Sequence, residues 1–310
     1  MWFFCALGCM LFWGAADLFY KKGNDEAEPS THLRTAVMVG AAFGLYATYL
    51  LIIKGVPFDP VNFLVYLPVS LCYVLSMIVG YFGLRYLALS VSSPIQNSSG
   101  AVTAILCMAV LKEFPDALSA AGIVAICAGV FYLGVLERRE SAGEIARADR
   151  KYVSGFRALV FPILYCAIDA LGTFLDAYYL DDAATTPLRG VTEETIEDVA
   201  NVAYLYTFLL VGVVCLVILL VRREKLFMTG SRSRATAAVF ETAGQAVYVY
   251  AMSGNAVVAA PMVAAYCIVS LLLSRVFLKE KLTGQKYVAV GLAVLGIILM
   301  GVAEGLLGDV

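Results

Sequence analysis

The chain has a single histidine, His32, and charged residues make up only 15% of its 310 positions. A soluble domain carries about 25% charged residues, so little of this chain is left to form one. The shortage of histidine removes the commonest metal ligand and general base. His32 itself sits in the 21–34 loop, where a solvated or interfacial role is expected. There is no HExxH, no Walker glycine loop and no catalytic dyad spacing, so neither an enzyme, a cofactor nor a metal is suggested, and nothing suggests a nucleic-acid partner. No cysteine lies in a loop. Cys5, Cys9, Cys72, Cys107, Cys127, Cys166, Cys215 and Cys267 all fall in apolar runs, which suggests neither a disulfide framework nor a CxxC metal site. The start, MWFFCALGCMLFWGAAD, lacks the positive n-region of a signal peptide and carries Lys21 and Lys22 after the apolar run. It reads as a first span.

What the chain does have is oil: 61% of it is hydrophobic. Ten apolar stretches recur, at about 2–20, 33–53, 62–84, 91–111, 116–136, 157–180, 199–221, 235–252, 256–278 and 284–304. Each approaches the roughly 17–25 residues needed to cross a hydrocarbon core. The expectation is an all-α integral membrane protein of ten transmembrane helices. Lysine and arginine sort by face: all but Lys54, Lys112 and Arg189 of the 22 lie on the side of the 137–157 segment. The positive-inside bias then puts that segment in the cytoplasm, and both termini and the acidic 181–198 loop outside.

The chain also matches itself. At an offset of 167, Tyr81 meets Tyr248, Val91 meets Val258 and Pro94 meets Pro261; Lys112-Glu113 then meets Lys279-Glu280, Gly129 meets Gly296, and Gly134 meets Gly301. FWGAAD (12–17) aligns with LYCAID (164–169), stacking Asp17 on Asp169. An odd number of spans per repeat makes the halves run oppositely through the bilayer, an arrangement of secondary transporters. The expected organisation is a first five-helix repeat over 1–136, a cytoplasmic linker over 137–156, and a second repeat over 157–310.

This architecture, with FWG in the first span and Glu113 and Glu280 ending the fourth and ninth, resembles the drug/metabolite transporter superfamily and within it the EamA-like family. The resemblance implies two inverted five-helix repeats around a central cavity, and ATP-independent movement of a small metabolite. The long acidic 181–198 loop departs from the compact family pattern.

Residues seven apart on a helix lie two turns apart on one face, so Tyr165, Asp169, Thr173 and Asp176 form one stripe. An aspartate near a span centre costs about 2.5–3.5 kcal/mol on insertion scales, and such groups face a bundle interior or a wet cavity. Glu241, Gln245 and Tyr248 make a second stripe. Trp13, Asn97, Tyr73 and Tyr266 add polar or aromatic groups on other spans, and Asp17 a further acid. Each has a plainer alternative. A membrane Asn, Ser or Tyr often serves only as a helix–helix hydrogen bond; Asp176 reads equally as interfacial, and Asp17 as a partner of Lys22.

Buried negative charge among aromatics suits an organic cation. A buried carboxylate can hold a proton or that cation in turn, which is enough for exchange. The expected function is therefore a multi-pass carrier in the cell membrane, monomer or homodimer, exchanging a small organic cation or amine for protons. The alternative is export of neutral or zwitterionic solutes such as amino acids. A passive scaffold and a polytopic membrane enzyme are more remote.

Overall fold

The computed structural model describes residues 1–23, 30–83, 95–145, 160–279 and 282–307. Inside lipid every backbone N–H and C=O must find an internal partner, and the apolar runs accordingly become helices. They are α1 (Trp2–Gly23), α2 (Thr31–Ile52), α3 (Val61–Val65), α4 (Leu67–Gly83), α5 (Ser99–Val110), α6 (Ala117–Ile145), α7 (Val160–Leu180), α8 (Ile196–Val221), α9 (Ser231–Ala264), α10 (Tyr266–Phe277) and α11 (Gly284–Leu307). No strand occurs among the described residues. Seven helical runs are long and apolar enough to cross a membrane.

Several boundaries differ from those expected. The third span opens with the separate turn α3. The fifth continues past 136 to Ile145, so the expected linker begins as helix. Val91, Pro94 and Glu280 of the repeat register, and 146–156 of the linker, lie outside the described residues.

The expected spans 235–252 and 256–278 are joined in a single apolar run, Ser231–Phe277, of 47 residues. At about 1.5 Å per residue it is roughly twice as long as a hydrocarbon core is thick. It does not run straight. Asn255 leaves the helical region (φ −169°, ψ 77°), and its Oδ1 accepts a hydrogen bond from the Val258 N–H at 3.3 Å. An Asn in that position caps a new helix start. Packing gives the sense of each part. Gly23 abuts Arg234, Trp13 abuts Gly244 and Trp2 abuts Gly254, so 231–254 runs antiparallel to α1. Gly14 abuts Tyr266 and Val269, and Asp17 accepts a hydrogen bond from Ser270, so α10 runs parallel to α1. The chain therefore reverses direction between Gly254 and Tyr266.

The bundle is built from antiparallel pairs: α1 with 231–254, α2 with α8, α4 with α7, and α6 with α11. Small residues let the backbones meet, as membrane helices require in the absence of a hydrophobic drive between them. A Cβ on Gly40 would lie 2.8 Å from the Phe208 carbonyl. One on Gly129 would lie 2.7 Å from the Ala289 carbonyl, and one on Gly296 2.6 Å from that of Gly122. Lys112 and Lys279, matched in the sequence repeat, both adopt left-handed backbone (φ 61° and 58°) just after α5 and α10.

The two ends of the bundle are tied differently. At one end Arg34 is fully enclosed and pairs with Glu224 at 3.0 Å, while Arg234 donates to the Gly23 and Thr229 carbonyls. At the other end Lys54 pairs with Asp198 at 2.6 Å, Tyr250 donates to Asp198 at 2.8 Å, and Ser253 donates to Glu197 at 2.9 Å. The acidic loop is fastened there too: Asn62 accepts from the Arg189 N–H at 2.7 Å and donates to the Arg189 carbonyl at 2.9 Å. Both of the loop's apolar anchors, Leu188 and Ile196, are buried.

Candidate functional site

A cavity of about 260 Å³ lies among α1, α4, α5, α7, α8, α9 and α10. It extends from mid-bundle, at Tyr73, Thr173 and Tyr248, toward the Arg34 end, at Asp17, Tyr20 and Tyr165. Toward the Asp198 end it stops against polar ties. Tyr66 donates its hydroxyl to Asp176, and Tyr179 donates to the Val65 carbonyl at 3.2 Å.

Three carboxylates line this space: Asp17, Asp169 and Glu241. Asp169 is half-buried and accepts hydrogen bonds from Ser76 of α4, at 3.3 Å, and from Ser99 of α5. α5 begins at Ser99 after a turn at Asn97 and Ser98. Non-helical backbone at membrane depth is tolerated where it lines a cavity, and Gln96, Asn97 and Ser99 do line it. Asp17 is exposed into the cavity and is held by Ser270 of α10, not by Lys22. Glu241 stands on the adjacent helix 231–254, near enough to Asp17 to feel its charge.

Aromatic rings make the remaining walls. Trp13 stacks on Tyr248 with centroids 5.1 Å apart, and Tyr266 meets Trp13 edge-on at 6.2 Å. Tyr73 meets Tyr204 edge-on at 5.6 Å, donates to the Thr173 hydroxyl at 3.1 Å, and lies hydroxyl to hydroxyl with Tyr248 at 2.7 Å. Gly244 makes room for Trp13: a Cβ there would run into the indole ring. The Trp13 Nε1 in turn donates to the Glu241 carbonyl at 3.4 Å.

Of the residues expected from sequence, Asp17, Asp169, Glu241, Thr173, Tyr248, Tyr165, Trp13, Asn97, Tyr73 and Tyr266 are brought together around the cavity. Two are not. Asp176 is buried one level deeper, against Tyr66. Gln245 turns away toward α8, where its Nε2 donates to Asn201 at 3.4 Å. The sequence reading missed Tyr204, Tyr20, Ser76 and Ser99. Tyr204 had a faint signal, because Asp198, Asn201 and Tyr204 share one face of an otherwise apolar α8.

No curated protein matches the chain. A solved crystal structure superposes with a TM-score of 0.68 over 98% of this chain and 97% of the other, at 12% identity; at that identity the likeness concerns the fold alone. The EamA-like transporter family matches residues 1–135 and 195–302. The unmatched stretch between them contains α7, with Asp169, and the acidic loop as far as Glu194. The matched segments take in most of the chain, and the protein belongs to the EamA-like transporter family.

Proposed function

We propose that the protein is a secondary active transporter that carries a small organic cation, most simply an amine, in exchange for protons. The observation that carries this is the charge of the cavity. Asp17, Asp169 and Glu241 line it together with Trp13 and six tyrosines, while no Lys, Arg or His is among its described lining residues. Carboxylates supply counter-charge and ring faces attract cations. Protons and cargo compete for the same oxygens, so one site alternately loaded from two sides suffices for exchange.

Several features support two inverted five-helix halves spanning the cell membrane ten times. The reversal at Asn255 divides the 47-residue run into two passes. The pairs fit an internal two-fold: first with eighth and third with sixth exchange, whereas second with seventh and fifth with tenth map onto themselves. The close approaches Gly129–Ala289 and Gly296–Gly122 exchange under the same offset of 167. In the orientation expected from charge, the Arg34 end is cytoplasmic and the described conformation faces inward. Either a monomer or a homodimer is compatible with the site, which a single chain completes.

The alternative is a neutral or zwitterionic cargo, favoured by the hydroxyl and amide groups of Tyr73, Thr173 and Asn97. A zwitterion's carboxylate would meet three like charges with no Lys, Arg or His among the described lining residues, which weighs against it. A membrane enzyme is more remote still.

The test is counterflow in proteoliposomes. An outward-directed amine gradient should acidify the vesicle lumen, because protons enter as the amine leaves, and Asp169→Asn and Glu241→Gln should each abolish that coupling while leaving the protein folded. Asp116→Asn should transport normally. Unchanged proton coupling in Asp169→Asn would remove the proposed role.

A further inference from the structure

The cavity acids form two groups on opposing walls. Asp17 and Glu241 stand on the antiparallel pair of α1 and 231–254, within each other's electrostatic reach. Asp169 stands on α7, held from α4 and α5 by Ser76 and Ser99. Between the groups lie the stacked Trp13–Tyr248 rings and Tyr266, whose phenol feels all three acids.

A monocation leaves this arrangement incomplete. Lys21, one turn beyond Asp17, offsets part of that residue's charge. Asp169 and Glu241 still stand on different helices, with no Lys, Arg or His among the described lining residues. An uncompensated carboxylate at membrane depth is costly, and a single ammonium group supplies only one positive charge to set against them. The cavity, about 260 Å³, has room for a short linear chain.

Building on the amine reading of this site, we infer that the preferred cargo is a short α,ω-diamine. One ammonium group sits at Asp169, the other at the Asp17–Glu241 pair, and the alkyl chain lies along the Trp13 and Tyr248 rings. The methylenes gain apolar contact, and those next to each nitrogen carry partial positive charge toward the ring faces.

The test is calorimetric binding to the purified full chain of 1,5-diaminopentane, 1-aminopentane and 5-aminopentan-1-ol. The last keeps the length of the diamine but replaces one ammonium with a hydroxyl. The diamine should bind at least about tenfold more tightly than either monoamine, a factor of one anchored charge. Asp169→Asn and Glu241→Gln should each lower the diamine to the monoamine level while monoamine binding persists, which also reports that the variants are folded. Equal affinity of the wild type for diamine and monoamines would overturn the two-charge cargo and leave the amine reading standing. Binding of no amine at all would overturn both.

Discussion

The hydroxyls of Tyr73 and Tyr248 lie 2.7 Å apart and join α4 to α9 at the deep limit of the cavity. Tyr73 also donates to Thr173, so one phenol serves both as a structural tie and as a wall of the site. Two functions of one side chain can be separated by substitution. Tyr73→Phe keeps the ring and loses the hydrogen bonds, at a cost of about 0.5–1.5 kcal/mol each. Its melting temperature should fall while amine affinity stays within about twofold. Tyr73→Leu removes the ring and should weaken binding about tenfold, in line with a cation–π contribution of about 1–2 kcal/mol. Equal losses in the two variants, read by calorimetry, would mean that the hydroxyl is what recognises cargo, and would favour the neutral solute.

Gly244 tests the position of the indole. Because an added Cβ would collide with Trp13, Gly244→Ala should displace the ring from Tyr248 and from the mouth of the Asp17–Glu241 pair. Amine affinity should drop about tenfold or more. Tryptophan fluorescence should shift at the same time, since Trp2 lies at the other end of α1 beside Glu304 and is unaffected. Wild-type affinity in Gly244→Ala would mean that the stacked pair is packing only.

Competition between protons and cargo has a definite sign. Cargo binds the ionised carboxylates, so apparent affinity should fall as pH is lowered and rise toward a plateau as it is raised. Each site proton that must leave steepens the dependence. In Glu241→Gln the pH profile should flatten, because one of the titrating groups is gone. A pH-independent dissociation constant, measured by calorimetry between mildly acid and mildly alkaline buffer, would exclude the exchange mechanism.

The helical membrane fold was legible because lipid leaves the backbone few choices, and a run of apolar residues settles the matter locally. The site was legible in outline for a related reason: a carboxylate at membrane depth needs a wet interior, so Asp169 and Glu241 stood out at once. What spacing could not give was depth. Asp176 lies on the same face as Asp169 and Thr173, yet the cavity ends at the level of Tyr73 and Tyr248, and Asp176 meets Tyr66 instead. Nor could it give rotation. Gln245, one turn from Glu241, has swung far enough around the helix to meet Asn201, whereas Tyr248 returns to the cavity. Asn255 is a different case: it lies in the gap left between the expected spans 235–252 and 256–278, but its capping role depends on a backbone reversal that spacing does not show.

Orientation has a direct test. Glu194 is exposed on the acidic loop, and the lysine and arginine bias predicts that loop to be outside. Glu194→Cys, in a background where the native thiols lie within helices, should react with an impermeant maleimide in intact cells. Labelling only after lysis would invert the molecule and make the described conformation an outward-facing one.

The polar ties at the Asp198 end have a consequence for speed. To release cargo on that side, the protein must part Tyr66 from Asp176, Asn62 from Arg189, and Lys54 and Tyr250 from Asp198. Water or new partners can replace these bonds only after they have begun to break, so their loss is concentrated in the barrier between the two facing states. Turnover should then be governed by this step and not by the encounter with cargo. Its rate should climb steeply with temperature, with a large activation enthalpy that substitutions in the acidic loop reduce and substitutions in the cavity leave alone.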